Sequence, residues 1–296
     1  MTDRNLPLAL SVPLVWGIAF TLAKPATEHF PPMLMFAAVY GFVAVLFSVL
    51  YPGRFQTPFW SGFVLGSMAG SIQAILIFSG LAGLDAAVTV IILQTQVPIS
   101  MLADRLINGT HLRPMQIAGV LVAFLGVAVI VGLPEKRPAL IPLLLLLSGA
   151  AVWATGQALV RRLGRDEAPK LFALISLHAT PQLLIGSLLL ETGHIVALTS
   201  AGTIEWGSFL LLTLMGFGIG NLTWYVLMKR MRLAELAPVL LLMPVVGVIV
   251  SALVLGDRLA PVQIAGGAIV LAGLAMVLGI GQRGPSGAAS EVSESK

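Results

Sequence analysis

LINGTHLRPMQIAG, residues 106–119, decides the fold because the chain carries it twice. LVLGDRLAPVQIAG, residues 253–266, matches it at an offset of 147. The two are identical at Leu106, Gly109, Leu112, Pro114, Gln116, Ile117, Ala118 and Gly119, eight of fourteen positions. The register continues through Gly126 and Gly273, then Gly132 and Gly279. A second match lays LALSVPLVWG (8–17) on LLLSGAAVWA (145–154). It pairs Ser11 with Ser148, Trp16 with Trp153 and, further on, Lys24 with Arg161. The longer match contains a proline, a glutamine and three loop positions, so it reads as a duplication.

The solvent of each half follows from composition. Of 296 residues, 57% are hydrophobic and 10% charged, with mean hydropathy +0.97. A soluble domain carries roughly a quarter charged residues. Ten long charge-free runs cover 6–23, 30–53, 55–84, 86–103, 114–134, 138–160, 171–190, 206–228, 236–256 and 259–282. The shortest holds 18 residues, whereas a helix of about 20 apolar residues crosses a bilayer. Soluble helices average only about 11–12 residues, and a porin-like barrel would alternate polar and apolar positions over ~10 residues. The expectation is an all-α polytopic membrane protein with ten transmembrane helices.

Each half then holds five spans. Five is odd, so the second half crosses the membrane in the opposite sense. The domains expected are an inverted pair of five-helix repeats, 1–137 and 138–282, followed by a disordered cytoplasmic tail at 283–296. The tail, RGPSGAASEVSESK, is small and polar. Inverted repeats are the architecture of many secondary transporters, with the substrate site near the midplane.

Charge sets the orientation. With ten spans, 13 of the 17 basic residues fall on the side of the two termini, and Lys24, Lys136, Arg137 and Arg258 on the other. By the positive-inside bias both termini are expected to be cytoplasmic. The same sorting accounts for the pI of about 9.8 without nucleic acid. The first run is too long and too weakly basic at its front for a cleaved leader. There is no cysteine, hence no disulfide or thiolate metal site. No nucleotide loop, metal-ligand spacing or nucleophile–base pair occurs, so the chain reads as a non-enzyme without catalytic residues, metal or cofactor. Its expected partners are a small-molecule substrate and the lipid bilayer, and it is expected to work as a monomer.

Polar residues inside apolar spans mark the candidate site. LQTQVPIS, residues 93–100, sits in the fourth run, and with one gap its Pro98 aligns with Pro244 of the ninth. Proline removes a backbone donor and frees the carbonyl four residues back, near Gln94 and Leu240. One reading is a kinked wall of a wet cavity; the other is a helix bend whose glutamines bond across the bundle. Regular helix geometry puts Gln94 on the face of Val90 and Pro98, and Gln96 with Thr89 on another, so both glutamines cannot face one cavity. Trp16 and Trp153 are the repeat pair, with Gln157 one turn beyond Trp153. Asn221, Trp224 and Tyr225 share a face of the eighth span, while Tyr40 and Gln73 stand within the second and third. His178, followed by Pro181, is the ionisable group well inside a span, either a functional group or a histidine bonded across helices. Gly62, Gly66 and Gly70, echoed by Gly216 and Gly220, read as close-packing surfaces. No carboxylate, lysine or arginine lies at mid-span, so a neutral or zwitterionic solute fits better than a phosphorylated one.

Three stretches carry a resemblance: PLVWGIAFTLAKPATEHFPPMLMFAA (13–38), ADRLINGTHLRPMQIAGVLVAFLGVAVIVG (103–132), and the copy of the latter near 256–279. They resemble the drug/metabolite transporter superfamily and, within it, the EamA-like ten-helix inner-membrane exporters, over essentially the whole chain to about 281, which implies a location in the bacterial inner membrane. The length and aromatic midplane are similar to the bacterial aromatic amino-acid exporter branch. The resemblance implies export of amino acids, aromatic or otherwise neutral, or of related small metabolites, by alternating access through a central cavity. Tyr40 stands where such sequences often carry arginine. The alternatives are a nucleotide-sugar or sugar-phosphate exchanger, an integral-membrane transferase and a structural membrane subunit.

Overall fold

The computed structural model describes residues 5–81, 90, 92–131, 139–255 and 260–278. The tail at 283–296, Thr89, Gly132 and Gly279 lie outside them. Among the described residues all regular structure is helical. We number α1 Leu6–Leu22, a short α2 Lys24–His29, α3 Pro32–Leu50, α4 (59–81), α5 Gln96–Asn108 and α6 Pro114–Val131. Then follow α7 Leu140–Leu163, α8 Ala168–Leu190, a short α9 His194–Ser200, α10 Thr203–Arg230, α11 (233–255) and α12 Pro261–Leu278. Seven of these helices are long and apolar enough to cross a membrane, and α1 and α6 are shorter apolar helices. Val45, Val49, Leu188, Leu189 and Leu253 point outward, each at least 67% exposed, as a hydrocarbon solvent permits.

The duplicated motif turns out to be a helix start. Pro114 and Pro261 each open a helix, where a missing N–H costs nothing. Gln116 folds back so that its Oε1 accepts the Arg113 N–H at 3.0 Å, and Gln263 does the same for Ala260 at 3.0 Å. This is the return half of a capping box, and it explains why proline and glutamine recur together. Upstream, Gly109 ends α5 at φ +69°, the left-handed cap that favours glycine.

The two helices so started pack on each other. A Cβ on Gly119 would lie 2.6 Å from the Gly273 carbonyl oxygen, and one on Gly273 would lie 2.5 Å from that of Gly119. Gly126 and Gly266 meet in the same reciprocal way, at 2.7 and 2.8 Å. Low numbers meet high ones, so α6 and α12 run antiparallel, with backbone on backbone. These four glycines are the repeat-matched ones.

Gly62, Gly66 and Gly70 press α4 onto α8. Cβ atoms there would meet the His178 ring at 2.9 Å, the His178 Cβ at 2.5 Å and the Ala179 Cβ at 2.5 Å. On α10, Gly220 receives the edge of the Trp16 indole. Both α4 and α10 widen into π-helical turns, at Ser67–Ser71 and Leu212–Asn221. Such widenings shift side-chain register and cluster at functional sites. In α11 a tighter 3-10 stretch, Ala237–Leu242, gives way to α-helix at Met243, one residue before Pro244.

Candidate substrate cavity

A cavity of about 580 Å³ lies between the helices, within the range of small-molecule sites. It draws on the last turns of α1 (Trp16 to Thr21), on the second half of α4 (Ala69 to Phe78), on Ile130 at the end of α6, on Phe36 and Tyr40 of α3, and on Phe217, Asn221, Trp224 and Tyr225 in the second half of α10. From α7 it takes Trp153 and Gln157, and from α11 Met243 to Val248. The cavity therefore extends from the end of the bundle at which α1, α4 and α6 finish to the last turns of α10.

Ten of the twelve residues singled out in the sequence meet there: Trp16, Tyr40, Gln73, Gln94, Trp153, Gln157, Asn221, Trp224, Tyr225 and Pro244. Trp224 is the hub. Its ring centroid lies 5.7 Å from that of Trp16 and 5.8 Å from that of Trp153, both tilted, so the repeat-matched indoles flank it. The Trp224 Nε1–H donates to Gln157 Oε1 at 2.9 Å, and the Trp16 Nε1–H to the Gly216 carbonyl at 2.9 Å. The carbonyl is that of a residue within the π-helical stretch of α10.

Pro98 and His178 do not join them. Pro98 is exposed on the outside of α5. His178 is buried between Gly62 and Gly66, with its ring edge-on to Phe59 at 4.9 Å, and it serves packing. Gln96, expected on a different face from Gln94, lines the cavity with it. The reason is a break: the helix turns at Thr95 and α5 restarts at Gln96, so 100° per residue does not carry across. The same break swings Pro98 off the Gln94 face. The matched prolines thus share a position near helix restarts without sharing an environment.

Sequence reasoning missed Thr21, Gln96, Phe20, Phe36, Phe78 and Phe217. Phenylalanine in an apolar span carries no signal that separates cavity wall from core. Phe217 does both, edge-on to Tyr40 at 5.3 Å and to Phe36 at 5.5 Å.

Electrostatically the cavity is neutral. Among the described residues no Asp, Glu, Lys, Arg or His lines it. The charges sit at its far end. Asp104, fully buried, accepts from Arg161 Nη1 at 3.2 and 3.3 Å, from Asn108 Nδ2 at 2.8 Å and from the Ala234 N–H at 3.2 Å. That network ties α5, α7 and α11 together beyond the cavity floor. The sequence placed Asp104 and Arg161 at run boundaries without connecting them.

The comparisons agree with this architecture. The EamA-like transporter family matches residues 5–132 and again 140–279. A Salmonella typhimurium protein named "Probable amino-acid metabolite efflux pump" is 30% identical over 290 residues, covering 93% of this chain and 94% of that protein. An Escherichia coli protein of the same name is 27% identical over 289 residues, at 93% and 94% coverage. A solved crystal structure superposes with TM-score 0.81 over 96% of this chain and 99% of its own, at 20% identity, and so shares the fold. A double match over nearly all of the chain leaves one assignment: this protein belongs to the EamA-like transporter family.

Proposed function

We propose that the chain is a secondary exporter of neutral amino acids or related small metabolites, aromatic ones foremost, working by alternating access in the bacterial inner membrane. The observation that carries this reading is the uncharged cavity of about 580 Å³, walled by three indoles, two phenols and five side-chain amides. Rings supply area for an apolar body, and amides and hydroxyls supply hydrogen bonds for a polar end. The names of the two curated relatives point to the same class. A nucleotide-sugar or sugar-phosphate substrate would bring charge for which the described lining offers no cation.

The finer architecture is ten helices as inverted repeats, 1–137 and 138–282, with both termini cytoplasmic. The reciprocal contacts of Gly119 with Gly273 and of Gly126 with Gly266 support an antiparallel relation between the halves. So does the division of the family match at residues 132 and 140. With the termini inside, the Asp104 network lies at the cytoplasmic end of the bundle.

The test is transport of labelled amino acids in proteoliposomes, with Trp153→Ala as control. Movement of aromatic or neutral amino acids that the substitution abolishes is the expected result. Movement of a phosphorylated solute with no amino-acid flux would overturn the reading.

A further inference from the structure

Three indoles wall the cavity, and two of their N–H groups are spent within the protein. Trp16 gives its own to the Gly216 carbonyl at 2.9 Å, and Trp224 gives its own to Gln157 Oε1 at 2.9 Å. The N–H of Trp153, the repeat match of Trp16, makes no hydrogen bond among the described residues. It stands half-buried in the cavity wall.

The Trp224 bond also fixes which way the Gln157 amide is turned. An indole nitrogen donates and does not accept, so the Gln157 atom that meets it is the carbonyl oxygen. The amide nitrogen keeps two protons that find no acceptor among the described residues. Gln157 follows Trp153 by four positions on α7, one turn along the same face, a spacing that sets Cβ atoms about 5–6 Å apart. Trp224 adjoins both, its ring centroid 5.8 Å from that of Trp153. Tyr40, Tyr225, Asn221 and Gln96 also line the cavity, and each accepts as readily as it donates. Those four suit either end of a zwitterion. Trp153 Nε1 and Gln157 Nε2 suit only an acceptor, and a carboxylate is the strongest one an amino acid carries.

Resting on the amino-acid reading of this cavity, we propose that Trp153 and Gln157 form its carboxylate subsite. The indole N–H and the amide N–H, one turn apart, donate to the substrate's carboxylate oxygens. Trp224 is the positioning residue, because its own N–H holds the Gln157 oxygen back and leaves the nitrogen forward. The substrate is thereby oriented, with its carboxylate on α7 and its ammonium toward the groups that accept.

The experiment titrates the full-length protein, purified in detergent, with L-phenylalanine and with phenethylamine, which keeps the ring and the amine and lacks the carboxylate. Apparent affinities are read from the rise of the melting temperature with ligand concentration. The wild type is expected to bind phenylalanine the more tightly. Trp153→Phe keeps a ring and removes the N–H. It is expected to weaken phenylalanine by about tenfold or more, the scale of a hydrogen bond to a charged group, and phenethylamine by less than about threefold. Gln157→Met, of similar length without the amide, is expected to show the same bias, and it decides the matter if Trp153→Phe does not fold. Trp16→Phe, whose N–H is already spent, is expected to shift both ligands by one factor. Either α7 variant weakening both ligands equally, or leaving phenylalanine binding undiminished, overturns the inference and leaves the amino-acid reading standing. A wild type that prefers phenethylamine, or binds neither ligand, overturns both.

Discussion

Arg161 and Asp104 form a buried ion pair at 3.2 Å, whereas Lys24, the repeat match of Arg161, pairs only with Glu28 on its own short helix at 3.6 Å. The first joins separate helices, with Asp104 wholly buried. The second lies in water at 65% and 66% exposure and contributes little. Equivalent positions in the two halves thus lock one end of the bundle alone; at the other end the tie is made elsewhere, by Glu191 accepting from the Met33 and Leu34 N–H groups at 2.7 and 3.0 Å.

Replacing Asp104 by Asn should loosen that lock. Breaking a buried pair costs about 3 kcal/mol, which corresponds to a shift of roughly a hundredfold between closed and open states at the locked end. The chain has no cysteine, so a single Ala234→Cys probe reports cleanly. Ala234 is 1% exposed and donates its N–H to Asp104. Labelling by a membrane-impermeant maleimide from the side of the membrane on which the Asp104 network lies should accelerate in the Asp104→Asn background. Unchanged labelling would sever this pair from gating.

The indoles should separate stability from transport. Trp16 is 7% exposed, bonded to Gly216 and wedged on Gly220, so Trp16→Ala leaves a buried void costing about 3 kcal/mol. Trp153 is half-buried and faces the cavity, so its truncation should cost less. Both variants should lose transport, but thermal unfolding in detergent should fall clearly further for Trp16→Ala. Equal losses would mean that Trp153 is a core residue.

The helices were legible because charge avoidance over 18 or more residues has few causes. Most of the site was legible too, because Gln73, Gln94, Gln157 and Asn221 are costly in hydrocarbon and signal a wet neighbour. Where reading failed, the cause was geometric. A break at Thr95 reorders the faces around Gln94, Gln96 and Pro98, and no residue type announces it. His178 looked functional by the rarity of ionisable residues in spans, yet Gly62 and Gly66 on α4 make the room it fills. The Asp104–Arg161 pair spans 57 positions, a distance over which periodicity carries no information.

The matched glycines of α6 and α12 yield a symmetric prediction. Alanine at Gly126 or at Gly266 drives a methyl against the other's carbonyl, at 2.7 or 2.8 Å. Backbone cannot step aside as a side chain can, so each substitution should cost about 1–3 kcal/mol. Two similar losses of thermal stability would fit the reciprocal contact; a loss at one position alone would contradict it.

His178→Gln should leave substrate flux at the wild-type rate, because the ring lies against Phe59 and the α4 glycines, away from the cavity. The proteoliposome assay decides it, with Gln157→Ala as the variant expected to fail. A selective loss of transport in a well-folded His178→Gln protein would return the histidine to the substrate path.

Asp166, in the connection before α8, should give the fold an acid-sensitive tie. Burial alone would raise its pKa. The N–H groups of Gln56 and Thr57, the Thr57 hydroxyl and the charge of Lys170 outweigh burial and hold it below the ordinary 3.8. A carboxylate with a lowered folded pKa contributes stability that is full above its unfolded value and is lost as pH falls through the folded one. Wild-type stability from this source should therefore be flat at neutral pH and decline only below about pH 4. Asp166→Asn should remove a charge-assisted pair of bonds worth about 2 kcal/mol at neutral pH. Because the variant has nothing left to titrate there, the gap between the two melting curves should close as the medium is acidified. A gap that persists at acid pH would assign the loss to packing.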